Sequence, residues 1–174
     1  MLGRRNGFFA FESALLVRPY YSESSPLGIV QWNAPKLWKG NYGSSLPDML
    51  CFAEDAFGVQ FCIHNATICS FDPETAVLKE IARSIGGWAG WILEDHKVRT
   101  GWPLAHFWQL RHGPLRHGGR LLPKVPFVLG GQFTVENLYE LNDLEGMRVR
   151  ADIATQLKAC PDGSKVVIRI RRGG

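Results

Sequence analysis

The sequence predicts an α+β fold in which a mainly antiparallel sheet carries flanking helices. β-rich runs follow one another at residues 49–54, 59–64 and 66–71, with only short turns between them. Strands and helices are mixed along the chain without the regular alternation of βαβ units. The length of 174 residues is typical of one domain. We therefore expect residues 1–174 to form a single domain.

The N-terminal part predicts one or two strands followed by a short helix. Residues 8–19 are apolar and end at a proline, as an edge strand or hairpin would. Residues 29–42 predict a helix that begins near Asn33 as N-cap, with Pro35 in its first turn. Residues 1–7 are expected to be flexible.

Helices are predicted after the strand meander. Asp72 as N-cap and Pro73 as the first helical residue predict a helix start. Apolar positions at helical spacing continue from Thr75 to Asp95, and Gly86-Gly87 is expected to divide this helix into two. A further helix is predicted within residues 99–112, with Phe107 on its buried face.

The last part of the chain predicts three more elements after an irregular stretch. Residues 114–131 predict a loop and then an extended run that Pro123 and Pro126 interrupt, which suits a sheet edge or an irregular crossing. Residues 132–141 predict a strand with a bulge, residues 143–158 a helix, and residues 165–171 a closing strand.

Charge is distributed unevenly along the chain although its total is small. The formal net charge is +4. Residues 41–96 carry eight acidic and two basic residues, whereas residues 97–131 carry six basic residues and no acidic one. The pattern predicts two oppositely charged regions, so the basic isoelectric point alone does not indicate nucleic-acid binding.

The cysteines predict buried free thiols rather than a metal site. Cys51, Cys62, Cys69 and Cys160 lack the paired spacing of zinc ligands, and the first three lie in apolar, strand-like runs. We expect no metal and no cofactor. The N-terminus makes a poor signal peptide, and no run approaches the ~18 apolar residues of a membrane span. A cytoplasmic protein without membrane association is predicted.

The sequence contains no GxSxG, P-loop, GxGxxG or HExxH string, so we predict a protein that is not an enzyme. Glu54 and Asp55 have two interpretations: an acidic patch for a basic partner or a cation, or turn chemistry in which Asp55 accepts backbone N–H bonds. The segment from His106 to Arg120 suits an anion or phosphate contact, or a solvated face. Trp102 is the tryptophan most expected to be exposed, because it lies in a connection.

Several strings together resemble the SUKH superfamily, which is named after the yeast Smi/Knr cell-wall regulators and is widespread in bacteria. The resemblance extends from about Phe8 to about Ile170. The matching strings are LCFAEDAFGVQFCI (50–63), FDPET (71–75), GGWAGWILED (86–95), TGWPLAHFWQ (100–109) and GPLRHGGRLLPKVPFVLGGQFTVENLY (113–139).

The resemblance implies a strongly bent, mainly antiparallel sheet with flanking helices. It also implies a function, because bacterial members are thought to act mostly as immunity proteins that bind and block a toxin domain, often a nuclease or deaminase. The superfamily has no agreed catalytic residues, so none is assigned here. Immunity proteins against cationic nucleases are often acidic, and the net charge of this chain departs from that pattern.

We therefore predict a toxin-neutralising binding protein, as a monomer or a homodimer, whose partner is a cognate toxin domain. The predicted partner-binding residues come from the acidic segment and its turns, with one aromatic anchor: Glu54, Asp55, Phe57, Asp72, Glu74 and Trp102. One alternative is an intracellular regulatory or interaction domain without a toxin partner. Another is a nucleic-acid or anion binder that uses the basic segment from His106 to Arg120, although a nucleic-acid partner is disfavoured.

Overall fold

A meander of six antiparallel strands is the main element of the fold, and the α+β class is confirmed. The computed structural model describes residues 6–24 and 26–160. The six strands lie side by side in chain order: β1 (Phe8–Ala10), β2 (Leu15–Val17), β3 (Leu50–Asp55), β4 (Gln60–His64), β5 (Thr67–Asp72) and β6 (Val77–Ala82). A second antiparallel sheet contains two strands, β7 (Gly119–Pro123) and β8 (Leu138–Asn142).

Helices cover both faces of the six-stranded sheet. They are α1 (Ile29–Trp32), α2 (Ile85–Glu94), α3 (His96–Thr100), α4 (Trp102–His112) and α5 (Asp143–Lys158), with a 3₁₀ segment at Lys39–Ser45. On one face, Trp88 and Ile92 of α2 pack against Phe52 and Phe61 of the strands. The opposite face packs against the 3₁₀ segment and α5.

Three cysteines line the face of the sheet that packs against α5. Cys51 lies directly opposite Cys62, and Cys62 lies directly opposite Cys69, on three neighbouring strands. All three thiols are free and buried, as the sequence predicts. They pack as small apolar side chains beside Phe71 and Met147.

The first helix differs from its prediction, because Asn33 ends α1 instead of starting a helix. The Asn33 side chain bonds the backbone of Cys51 twice. Its Oδ1 accepts from the Cys51 N–H at 2.8 Å and its Nδ2 donates to the Cys51 carbonyl at 2.7 Å. The amide that could have capped a helix therefore attaches α1 to β3 instead.

Asp72 also differs from its prediction, because it forms a turn rather than a helix N-cap. Its carboxylate accepts from the Glu74 N–H at 2.9 Å and from the Thr75 hydroxyl at 2.8 Å. With Ala76 in the left-handed region (φ 59°), the chain reverses and continues as β6. The helix starts later, where Ser84 Oγ accepts from the Gly87 N–H at 3.0 Å. Gly87 thus lies in the first turn of α2 and does not divide a longer helix.

The later elements agree better with the sequence. Helix α5 has the predicted bounds, Asp143–Lys158. The predicted strand at 132–141 is shorter, because a 3₁₀ turn at Val135–Asn137 precedes β8. The predicted strand at 165–171 and most of the segment 1–7 lie outside the described residues. Among the helices that the structure describes, none is long and apolar enough to cross a membrane.

Gly101 is the residue where the chain passes from α3 to α4, in the left-handed region (φ 68°). A Cβ at this position would overlap the Phe57 ring. We predict that Gly101→Ala lowers the free energy of unfolding by at least about 2 kcal/mol, because it adds strain and overpacking. Urea denaturation measures this change.

The matched control is Gly90→Ala, at an exposed position inside α2 where a Cβ meets nothing within 4 Å. This change should raise stability by about 0.5–1 kcal/mol through helix propensity. Equal effects of the two substitutions would contradict the assigned role of Gly101.

Candidate functional site

Glu54 lies at the centre of a buried charge cluster rather than on the surface. Its Oε1 is 3.0 Å from Arg18 Nη2 and 2.8 Å from Arg120 Nε. Gln60 Nε2 donates to its Oε2 at 2.8 Å. Arg18 Nη2 also donates to Asp143 at 2.9 Å. Glu54 has no exposed surface, so it cannot contact a partner directly.

The arginines decide which carboxyl group of the cluster ionises most readily. Burial alone would raise the pKa of Glu54, but the charges of Arg18 and Arg120 outweigh it and hold that pKa below its ordinary value. Burial and the nearby Glu54 charge instead raise the pKa of Asp143. The Glu54 carboxylate is therefore the anion that the two guanidinium groups share.

Asp55 has the turn role that the sequence left open as an alternative to an acidic patch. Its Oδ1 accepts from the N–H groups of Phe57 and Val59, both at 2.9 Å. Burial is the largest influence on this carboxyl group and raises its pKa to about 7. Asp55 thus shapes the β3–β4 turn from the inside.

Glu74 is buried too, and it attaches a distant loop to the main sheet. Its Oε2 accepts from the Val128 N–H at 3.0 Å, and burial raises its pKa. The prediction that Glu54, Asp55 and Glu74 form an exposed acidic contact patch is therefore wrong. Of the other three predicted residues, Asp72 bonds its own turn, and Phe57 and Trp102 are half-buried.

The basic segment at 97–131 is also neutralised in the fold. Four of its arginines contact carboxylates from other parts of the chain: Arg99 with Glu94 at 2.8 Å, Arg111 with Glu136, Arg116 with Glu140 at 3.0 Å, and Arg120 with Glu54 at 2.8 Å. Within residues 6–24 and 26–160, no group of three or more His, Cys, Asp or Glu side chains could hold a metal ion. All four arginines of this segment are therefore paired with a carboxylate.

Apolar side chains are also exposed, beside these ion pairs. On α4, Phe107 is 56% exposed and Leu110 is 69% exposed, one helical turn apart. The loop between β7 and β8 exposes four more: Val125, Val128, Leu129 and Phe133. The loop adjoins α4, because Arg111 contacts Glu136 and because Trp108, Phe127 and Val135 share one apolar cluster. We call these six side chains the α4–loop surface.

The β1–β2 turn holds one side of α4 in place. Glu12 Oε2 bonds His106 Nδ1 at 2.7 Å, and the Glu12 carbonyl accepts from Gln109 Nε2 at 2.9 Å. The turn residues Phe11, Glu12 and Ser13 all have positive φ, which is unfavourable for residues other than glycine. Contacts with α4 therefore maintain a strained turn, and the turn in return positions the helix.

The β7–β8 loop is ordered by its own hydrogen bonds and by ring packing. Asn137 Oδ1 accepts from the Val125 N–H at 2.9 Å, and Asn137 Nδ2 donates to the carbonyls of Val125 and Gln132. The Phe127 ring stacks on Phe133 with centroids 4.0 Å apart and meets Phe57 edge-on at 5.6 Å. The exposed side chains of the loop therefore project from a backbone that these contacts hold in place.

The sequence reasoning missed this surface and assigned Phe107 to the buried face of its helix. In the structure Ala105 and Trp108 are buried, and Phe107 and Leu110 point outward. One signal was available in the sequence: α4 is apolar on more than one face. A helix that packs on one side needs only one apolar stripe, so some of its apolar residues must be exposed. In the loop, the run PFVLGGQF contains no charged residue, which was a second signal.

Comparison with known proteins gives a similarity to a solved structure. No protein-family model matches the chain, and no curated protein matches it either. Among solved structures, the chain is similar to Atu4351 from Agrobacterium tumefaciens, with a TM-score of 0.54 and 17% sequence identity. The match covers 83% of this chain and 69% of that one. At this identity the similarity supports the fold.

The charge cluster generates a stability prediction. We expect Glu54→Gln to lower the free energy of unfolding by about 3–5 kcal/mol, because it leaves Arg18 and Arg120 buried with less compensating charge. The matched control is Glu94→Gln, which removes the exposed pair with Arg99 and should cost less than about 1 kcal/mol. Chemical denaturation of both variants measures the difference, and similar costs would contradict the role of the cluster.

Asp55 generates a prediction about pH. Its pKa is higher in the folded protein (about 7) than the ordinary value of 3.8, so the folded state holds a proton that the unfolded state has released between these pH values. The free energy of unfolding therefore falls by up to about 4 kcal/mol as the pH rises from about 4 to about 7, because Asp55 ionises in the unfolded state but not in the folded state. The Asp55→Asn variant should not show this decrease, because asparagine does not ionise.

We therefore compare the free energies of unfolding of Asp55→Asn and of the unmodified protein. The value for the variant minus that for the unmodified protein should increase over this pH range and level off above about pH 7. Urea unfolding at a series of pH values tests it. A difference that is independent of pH would show that Asp55 stays ionised in the fold.

Proposed function

We propose that this protein is a non-catalytic immunity protein that binds a cognate toxin domain through the α4–loop surface and blocks it. The observation that carries the proposal is the grouping of six exposed apolar side chains on a helix and loop fixed from several sides. Aromatic and aliphatic side chains at the centre of a binding site contribute much of its affinity. Because the backbone is already ordered, binding costs less conformational entropy.

The class of partner is supported by the resemblance of the sequence to the SUKH superfamily, whose bacterial members are thought to neutralise toxins. We place the protein in the cytoplasm, where an immunity protein meets an incoming toxin. Trp102, predicted as an anchor, begins α4 and is half-buried against the same apolar cluster as Phe57 and Phe127. Trp102 therefore packs in the apolar cluster next to the α4–loop surface instead of belonging to that surface.

A regulatory domain without a toxin partner could use the same surface, and the identity of the adjacent gene distinguishes the two functions. A nucleic-acid partner is less well supported by the geometry. The arginines between His106 and Arg120 contact Glu136, Glu140 and Glu54, so they offer little free charge to phosphates.

The proposal predicts that Leu110→Asp weakens binding to the toxin domain encoded by the adjacent gene by at least about tenfold. A charge at this position must be desolvated in the interface, while the free protein tolerates it. Isothermal titration calorimetry measures the affinity, and growth of cells that co-express both proteins measures neutralisation.

The control is Leu93→Asp on α2, where a leucine has the same exposed fraction, 69%. It should change the affinity by less than about twofold, as surface changes away from an interface do. If the unmodified protein neither binds nor neutralises the domain, the proposed function is wrong. If both leucine variants bind normally, the interface lies elsewhere.

A further inference from the structure

The β7–β8 loop forms the uncharged part of the α4–loop surface and differs in chemistry from an acidic inhibitor. From Val125 to Gly131 its residues are apolar or glycine, and Gln132 and Phe133 complete an uncharged run. Phe133 is 68% exposed, although one face of its ring is covered by Phe127. A partner that contacts this loop therefore meets aliphatic groups and an aromatic ring rather than carboxylates.

The charged side chains at the two ends of the loop form contacts within the protein. Arg111 contacts the Glu136 carboxylate, and Lys124 Nζ donates to the Glu136 carbonyl at 2.6 Å. The acidic side chain that touches the loop, Glu74, is buried beneath it and accepts from the Val128 N–H. Glu136 is exposed but paired with Arg111, and no carboxylate stands between Val125 and Phe133. The apolar part of the loop thus lacks the carboxylates with which a protein could imitate nucleic acid and attract a basic active-site groove.

We propose, as a consequence that rests on the proposed function, that the β7–β8 loop inserts into an uncharged, apolar concavity of the toxin domain and blocks it without imitating nucleic acid. The ordered backbone supports insertion, because the bonds of Asn137 and Glu74 already fix the loop. The absence of charge from Val125 to Phe133 supports the choice of an apolar partner surface, because burying charged partner groups against these residues would cost desolvation energy.

A lipid surface is a different partner for an apolar loop, and the charges favour a protein instead. Membrane-binding loops combine apolar side chains with cations that remain free for anionic headgroups. Here the two cations at the base, Arg111 and Lys124, both bond Glu136. The Glu136 carboxylate compensates the charge of Arg111, whereas Lys124 donates to a neutral carbonyl, so one cation of the two is withdrawn from anionic headgroups.

The first test is the salt dependence of binding, measured by calorimetry with the purified toxin domain. Between ~50 mM and ~500 mM NaCl, we expect the dissociation constant to change by less than about twofold, because screening acts on charge pairs and not on apolar contacts. A weakening of about tenfold or more would overturn the proposal and indicate an electrostatic interface.

The second test uses variants of the loop. Phe133→Ala and Val128→Asp should each weaken binding at least about tenfold, with unchanged circular dichroism. The matched control is Val30→Asp, because Val30 on α1 is 48% exposed and Val128 is 41% exposed. Tight binding by both loop variants would overturn the loop proposal. If Leu110→Asp still weakens binding in that case, the proposed function remains supported.

A flotation assay with vesicles that contain phosphatidylserine distinguishes the lipid surface. We expect no binding to vesicles, and binding that depends on Phe133 would overturn the proposal. If the unmodified protein fails to bind the toxin domain at any salt concentration, the proposed function fails first and the loop inference fails with it.

Discussion

The ion pairs of Glu54 with Arg18 and Arg120 are the interaction on which the rest of the structure depends. Glu54 lies on β3, Arg18 follows β2 and Arg120 lies on β7, so one carboxylate joins the two sheets. Asp143, at the start of α5, joins through Arg18. Because a buried charge is tolerated only with close partners, these elements are held to one arrangement. The Arg18 guanidinium also covers the Trp32 ring, which positions α1.

The same pairing determines which groups are left for a partner. Acidic side chains that could have formed an exposed patch are used internally: Glu54 in the cluster, Asp55 in a turn and Glu74 under a loop. In the basic segment Arg120 is buried in the cluster, whereas Arg111 and Arg116 are largely exposed and pair with Glu136 and Glu140. The apolar side chains of the α4–loop surface are exposed beside the ion pair of Arg111 with Glu136.

Patterns that depend on neighbouring residues were predictable from the sequence, and pairings across the chain were not. The meander and α5 follow from strand spacing and helical periodicity, which are local. Glu54 and Arg120 are 66 residues apart, so a sum of charge along a segment cannot show that they neutralise each other.

The predictions for Asp72 and Phe107 failed because the local pattern was compatible with more than one structure. The Asp72 carboxylate can accept N–H bonds in a helix N-cap or in a turn, and the left-handed conformation of Ala76 accompanies the turn. Phe107 lies on a helix that is apolar on several faces, so periodicity could not show which face is buried.

The charge cluster and the α4–loop surface are physically connected, and this connection gives the buried charges a role beyond stability. Arg120 Nη1 donates to the Ser13 carbonyl at 3.5 Å, at the end of the strained β1–β2 turn. The adjacent residue, Glu12, holds His106 and Gln109 of α4. Helix α4 buries only Ala105 and Trp108, so the orientation of its outer face depends on this turn. The orientation of the α4–loop surface is therefore maintained in part by buried ionic groups that do not belong to it.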